Sequence, residues 1–166
     1  MKLNCAVLTI SDTRSLKDDK SGNYLKNALA AAGHKVCARE IVKDDIYQIR
    51  AITSHWIADD ELQTIITTGG TGFTGRDSTP EAITPLLDKQ INGFGELFRQ
   101  ISYDEIGSST IQSRAIGGLA NATLIFCLPG SSNAVRTGWE KILINQLDIN
   151  FKPCNFVELI PRFREI

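Results

Sequence analysis

The run Thr64–Leu87, TIITTGGTGFTGRDSTPEAITPLL, holds a strand, a glycine-rich loop and a helix start in succession. Thr64–Thr68 is short and β-branched, which favours an extended chain on a packed surface. Gly69, Gly70, Gly72 and Gly75 put four glycines into seven residues. Pro80 suits the first turn of a helix over Pro80–Leu87, with Thr79 as its cap. Outward from this run the pattern repeats. Leu3–Ile10 and Thr123–Leu128 read as buried strands, and Lys35–Val42 as a second strand in chain order. Gly22–Ala32 spaces Leu25, Leu29 and Ala32 as a helix ended by Gly33. Asp45–Asp59 places Ile46, Ile49, Ile52 or Thr53, Trp56 and Ile57 on one helical face. Ser132–Leu147 is the last long helix. Strands alternating with helices predict βαβ units and a parallel sheet covered on both faces. Ligands of such sheets bind beyond the carboxyl ends of the strands, so the loops after strands are where chemistry is expected.

The 166 residues suffice for one domain with a full core, and no repeat or linker divides residues 1–166. Hydrophobic residues make up 42% and charged residues 22%, as in a globular chain. A net charge of −1 leaves no bulk attraction for nucleic acid or an anionic membrane. No apolar stretch reaches the roughly 20 residues that span a bilayer. Met1–Ile10 turns polar at Ser11-Asp12 and lacks the form of a signal peptide, so a cytoplasmic location is expected. Cys5, Cys37, Cys127 and Cys154 form no C-x-x-C pair. Buried reduced thiols are expected, not a zinc site or a disulfide framework. His34 and His55 are too far apart for a metal cluster, and His34 reads as a capping or surface residue.

Three loops stand out. Gly69–Pro80 lets backbone N–H groups converge on an anion, helped by the helix start beyond it. Gly70-x-Gly72-x-x-Gly75 matches the dinucleotide fingerprint literally, the basis for a nicotinamide-enzyme reading. Its glycines precede the helix instead of opening it, and they follow the third strand instead of the first. The P-loop pattern fails too, because Arg76-Asp77 stands where Lys and a hydroxyl residue are required. Leu128–Asn133 carries Pro129, Gly130, Ser131 and Ser132, which also suit a plain capped turn. Ser11-Asp12-Thr13-Arg14 offers polar groups at the end of the first strand. Asp44, Asp45 and Asp77 are the carboxylates nearest these loops, and one of the first two is expected to cap the following helix. Two carboxylates beside a phosphate cradle are what Mg²⁺-dependent phosphoryl or nucleotidyl transfer requires. A side chain at Gly70 or Gly72 is expected to lower ligand affinity while leaving the fold intact.

Thr67–Ala82 (TTGGTGFTGRDSTPEA), together with Ser11–Arg14, Leu128–Ser131, Phe94–Arg99 and Ser113–Ala115, resembles the MoaB/MogA family of molybdenum cofactor biosynthesis proteins. The tail from Arg136 to Phe156 is most similar to its MoaB branch. The resemblance implies a three-layer α/β sandwich with a mostly parallel central sheet. It implies adenylylation of molybdopterin by Mg-ATP, a nucleotidyltransferase reaction that releases pyrophosphate. The alternative is a molybdopterin- or nucleotide-binding protein of the same pathway that catalyses nothing. The family's functional carboxylates fall on Asp44 and Asp77, as catalytic residues and ligands of Mg²⁺. Lys43 stands where the enzymes commonly have Pro, which leaves the choice between Asp44 and Asp45 open. Gly69, Gly70, Thr71 and Gly72 would cradle phosphate and pterin, bordered by Ser11, Asp12, Pro129, Gly130, Ser131 and Ser132. The resemblance also implies a homotrimer or a dimer of trimers (a homohexamer), and contact with other proteins of the pathway. Phe94, Leu97 and Phe98 would serve either as its contact surface or as core.

Overall fold

The computed structural model describes residues 1–165. Six strands form one sheet: β1 (Asn4–Ile10), β2 (Lys35–Val42), β3 (Thr64–Thr68), β4 (Lys89–Gln90), β5 (Ile116–Ala120) and β6 (Thr123–Leu128). Their order across the sheet is β2-β1-β3-β6-β5-β4. The first four in that order are parallel, while β5 and β4 are antiparallel to their neighbours.

The alternation of strand side chains builds the layers. Cys5 and Val7 of β1 join Leu124, Phe126 and Leu128 of β6 on one face. There they pack against α1 (Lys20–Ala31). Ala6, Leu8 and Ile10 join Ile65, Ile125 and Cys127 on the other face, against α2 (Ile46–Ile57) and α3 (Thr79–Ile83). The first face is completed by α4 (Asn92–Ile106) and α5 (Ser132–Gly138) through Phe94, Phe98 and Val135. A π-helical turn (Trp139–Leu143) and α6 (Ile144–Gln146) continue from α5, matching the expected long last helix. Burial of each Leu, Ile or Phe contributes about 1.5–3 kcal/mol, so these two faces dominate the stability of the sandwich.

Several expectations need correction. Strict strand–helix alternation fails after α4, where β5 and β6 form a hairpin. Its turn residues, Asn121 and Ala122, both have positive φ, at 45° and 65°. The helix expected over Pro80–Leu87 ends at Ile83, because Pro85 has no N–H to continue the helical bonds, and Thr84–Leu86 is a 3₁₀ turn. Its N-cap position is Ser78, and Thr79 lies inside the helix. Ala32 is the exposed C-cap residue of α1, not part of its buried face. His34 is buried, not a surface residue, and its Nδ1 accepts the Leu3 N–H at 3.3 Å. Burial lowers its pKa. All four cysteines are free, yet only Cys5 and Cys127 are buried, and burial pushes both thiols up to about 12. Cys37 and Cys154 are exposed, Cys37 because it lies on the edge strand β2. Phe94 and Phe98 belong to the core, which leaves Leu97 as the exposed one of that trio.

Candidate functional site

Parallel strands bring their carboxyl ends to one edge, and here three loops meet. Direct bonds stitch them together. The Gly69 N–H donates to the Leu128 carbonyl at 3.0 Å, and Thr68 Oγ1 to the Pro129 carbonyl at 3.0 Å. The Ser11 N–H donates to the Val42 carbonyl at 2.9 Å. Between the loops lies a cleft of about 720 Å³. Ser11, Asp12, Asp44, Gly69, Gly70, Thr71, Gly72, Asp77, Pro129, Gly130 and Ser131 all line it. Ser132, expected there too, is the first residue of α5, and Ser131 caps that helix by accepting from Ala134 N at 3.1 Å.

The glycine-rich loop is held in a conformation that only glycine adopts easily. Gly69 and Gly70 have φ of +107° and +66°. A Cβ on Gly69 would lie 2.1 Å from the Ile10 carbonyl oxygen, and one on Gly70 would lie 2.3 Å from Thr79 Oγ1. A side chain at Gly70 therefore strains the loop as well as the ligand site, contrary to the expectation that the fold would be indifferent. The Thr79 hydroxyl donates to the Gly69 carbonyl at 2.8 Å, and its N–H to the Gly70 carbonyl at 2.9 Å. This explains why Thr79 is not the cap. The amides of Gly70 and Thr71 have no protein acceptor among the described residues.

Asp44 and Asp45 have separate roles. Asp45 caps α2, with Oδ1 accepting from Tyr47 N at 3.0 Å and Gln48 N at 2.9 Å. Asp44 is buried in the cleft wall, and its Oδ1 accepts from the Ser78 N–H at 3.0 Å and from the Ser78 hydroxyl. Its Oδ2 accepts no hydrogen bond among the described residues, and it would lie 2.7 Å from a Cβ on Gly70. Asp77 Oδ2 accepts from the Thr74 N–H at 2.7 Å and the Thr74 hydroxyl at 2.6 Å. Burial raises the Asp77 pKa, but the Thr74 bonds, the Gly72 N–H and the charge of Arg114 outweigh it and hold the carboxyl below its usual range. Arg76 pairs with Asp12 instead of Asp77, at 2.6 and 3.0 Å, and this contact holds Asp12 low as well.

Residues 6–148 match the model of a family described as "Probable molybdopterin binding domain". The chain belongs to the MoaB/MogA family of molybdenum cofactor biosynthesis proteins. It is 53% identical over 151 residues to Molybdenum cofactor biosynthesis protein B of Escherichia coli K12, covering 91% of this chain and 89% of that protein. A crystal structure of Molybdenum cofactor biosynthesis protein B superposes with a TM-score of 0.86 at 49% identity, over 89% of this chain and 92% of the other. The tungsten cofactor synthesizing protein MoaB of Pyrococcus furiosus gives 0.77 at 38% identity, over 86% and 91%.

Within this family framework the cleft has walls that the strand-loop reasoning did not supply. Helix α4 contributes Phe98, Ser102, Glu105 and Ile106. Glu105 accepts from Asn133 Nδ2 at 3.0 Å and Thr137 Oγ1 at 2.9 Å, joining α4 to α5. Arg114 pins the glycine-rich loop from outside. Its Nε donates to the Gly72 carbonyl at 2.7 Å and its Nη2 to the Asp77 carbonyl at 2.8 Å, while Nη1 pairs with Glu81. The only sequence signal for that role was the family-like run Ser113-Arg114-Ala115.

Proposed function

We propose that this chain acts in molybdenum cofactor biosynthesis, binding molybdopterin and Mg-ATP in the cleft and transferring the adenylyl group. In this reaction the terminal phosphate oxygen of molybdopterin bonds to the α-phosphorus of ATP. The bond from that phosphorus to the β-phosphate bridging oxygen breaks, and pyrophosphate leaves with the electron pair. The observation that carries the reading is the convergence of Asp44, Asp77 and the Gly69–Gly72 turn on one cleft.

Charge supports a divalent cation there. Four carboxylates (Asp12, Asp44, Asp77, Glu105) and two guanidinium groups (Arg14, Arg76) line the cleft. A polyphosphate meets a net negative wall unless a cation bridges it. Mg²⁺ typically takes one or two carboxylates and completes its shell with phosphate oxygens and water, so Asp44 and Asp77 fit as its protein ligands. No group of three or more His, Cys, Asp or Glu side chains is placed to hold a metal among the described residues. A substrate-borne Mg²⁺ needs no such group. When bound, the ion would offset charge around the transferring phosphorus. The free amides of Gly70 and Thr71 donate toward phosphate oxygens, and exposed Ile106 offers apolar surface to a ring.

One observation favours the alternative, a binding protein without turnover: Asp77 Oδ2 is already engaged twice by Thr74. Incubation with molybdopterin and Mg-ATP, followed by pyrophosphate detection, separates the two. Pyrophosphate release that requires both substrates supports transfer. Binding of both without release overturns transfer and leaves the binding role. A threefold homo-oligomer is part of the same proposal, supported by exposed Leu97, Tyr103 and Ile111. A single-chain mass by light scattering would contradict it.

A further inference from the structure

We propose that Arg14 is the side-chain cation that receives phosphate in the cleft, and that the buried carboxylate of Asp19 is its positioning residue. This rests on the reading of the cleft as a phosphate site and names the side chain that senses charge there.

Two guanidinium groups line the cleft, and their circumstances differ. Arg76 is neutralised by its two-point contact with Asp12, on an exposed rim. Arg14 Nη1 donates to Ser21 Oγ at 3.3 Å, and Nη2 donates to the Gly130 carbonyl at 3.2 Å. A guanidinium has five N–H donors, so these two bonds leave three without a hydrogen-bond acceptor among the described residues. The carboxylate paired with Arg14 is Asp19, with Oδ1 3.8 Å from Nη1. That carboxylate is already bound more tightly elsewhere. Asp19 is fully buried, and it accepts from Thr9 Oγ1 at 2.6 Å, Gly22 N at 2.9 Å and Arg39 Nη2 at 3.0 Å. Arg39 takes the greater part of its charge, so most of the Arg14 charge stays uncompensated.

Asp19 therefore orients Arg14 without cancelling it. Ser21 also donates to the Gly130 carbonyl, at 2.9 Å, so the cation sits on a rigid bridge between the loops after β1 and β6. A planar fork held in this way suits two phosphate oxygens at once, which a lysine would not match. It would also offset Asp44 and Asp77 for the part of the ligand that no metal reaches.

The test is calorimetric titration of the full chain with inorganic pyrophosphate in Mg²⁺, over a range of salt, with melting temperatures recorded. Arg14→Gln is expected to weaken pyrophosphate about tenfold or more and to flatten the salt dependence, with melting changed by only a few degrees. Arg14→Lys is expected to fall between, because it keeps the charge and loses the fork. Asp19→Asn is expected to weaken pyrophosphate while keeping the wild-type salt dependence, whereas a purely structural Asp19 would lower the melting temperature alone. If the wild type binds pyrophosphate and Arg14→Gln binds it equally with an unaltered salt dependence, the assignment is overturned and the phosphate reading stands. If Arg14→Gln fails to fold, Arg14→Lys decides by affinity alone: pyrophosphate bound as tightly as by the wild type overturns the assignment, and weaker binding upholds it. If the wild type binds neither pyrophosphate nor ATP, both the assignment and the phosphate reading fall.

Discussion

The parallel and antiparallel parts of the sheet do different work. In the parallel part, β1, β3 and β6 end at one edge, and their loops are bonded to each other and to Val42 at the end of β2. Nearly every cleft-lining residue of the sheet loops comes from that edge. In the antiparallel part, β5 and β6 are joined at the opposite edge by the Asn121-Ala122 turn, which lines no part of the cleft. That part contributes closure: Asp88 and Asn121 tie its connections, and α4 lays Phe98 and Glu105 along the cleft. Parallel pairing concentrates chemistry because it forces every connection to return across a face, leaving strand ends free to converge.

Substitutions can break this division of labour, starting where the packing is least forgiving. Gly69→Val is expected to cost more than about 3 kcal/mol in urea unfolding. It combines positive φ with a clash against backbone, which cannot move aside as a side chain can. Stability should next depend on acid. Burial raises the Asp19 pKa, but bonds from Thr9, Gly22 and Arg39 outweigh it and hold the carboxyl low. Its stabilisation is complete above the unfolded value of about 3.9 and is lost as pH falls through the lower folded value. Urea midpoints should therefore decline below about pH 4, and Asp19→Asn should lose part of that decline. In the antiparallel part, Ala122→Gly relieves a left-handed alanine and should raise stability by up to about 1 kcal/mol with unchanged nucleotide affinity. Gly75→Ala should sharpen the contrast within the glycine-rich loop: no atom lies within 4 Å of its added methyl, so stability should change by less than about 0.5 kcal/mol.

The parallel part was legible because its signals are local. Thr64–Thr68 and Thr123–Leu128 appear with their expected limits, since the first is β-branched throughout and the second is a nearly unbroken apolar run, as suits buried central strands. The loops after them carry Gly, Pro and Ser in turn-forming runs. The antiparallel part hides its signals. Strand β4 is two residues long, and β5 reads Ile-Gly-Gly-Leu-Ala, which looks like a turn. Gly118 is there for room, since a Cβ would lie 2.5 Å from Leu87 Cδ1. The hairpin turn has Asn-Ala where Asn-Gly would have signalled it. Helix α4 opens without a side-chain cap and holds Gly93 and Gly95. Site residues on α4 were therefore missed, and the partner of Asp44 emerged only from the long-range packing that brings Ser78 beside it, whereas Asp77 bonds Thr74 within its own loop.

The central claim is that the parallel edge forms one polyphosphate site completed by a divalent cation on Asp44 and Asp77. The direct measurement is the affinity for ATP with Mg²⁺ and with a chelator, in the wild type and in the Asp44→Asn, Asp77→Asn double variant. The wild type is expected to bind at least about tenfold more tightly with Mg²⁺, and the folded double variant is expected to lose that gain. Equal wild-type affinity with and without Mg²⁺, or a full Mg²⁺ effect in the double variant, would contradict the claim.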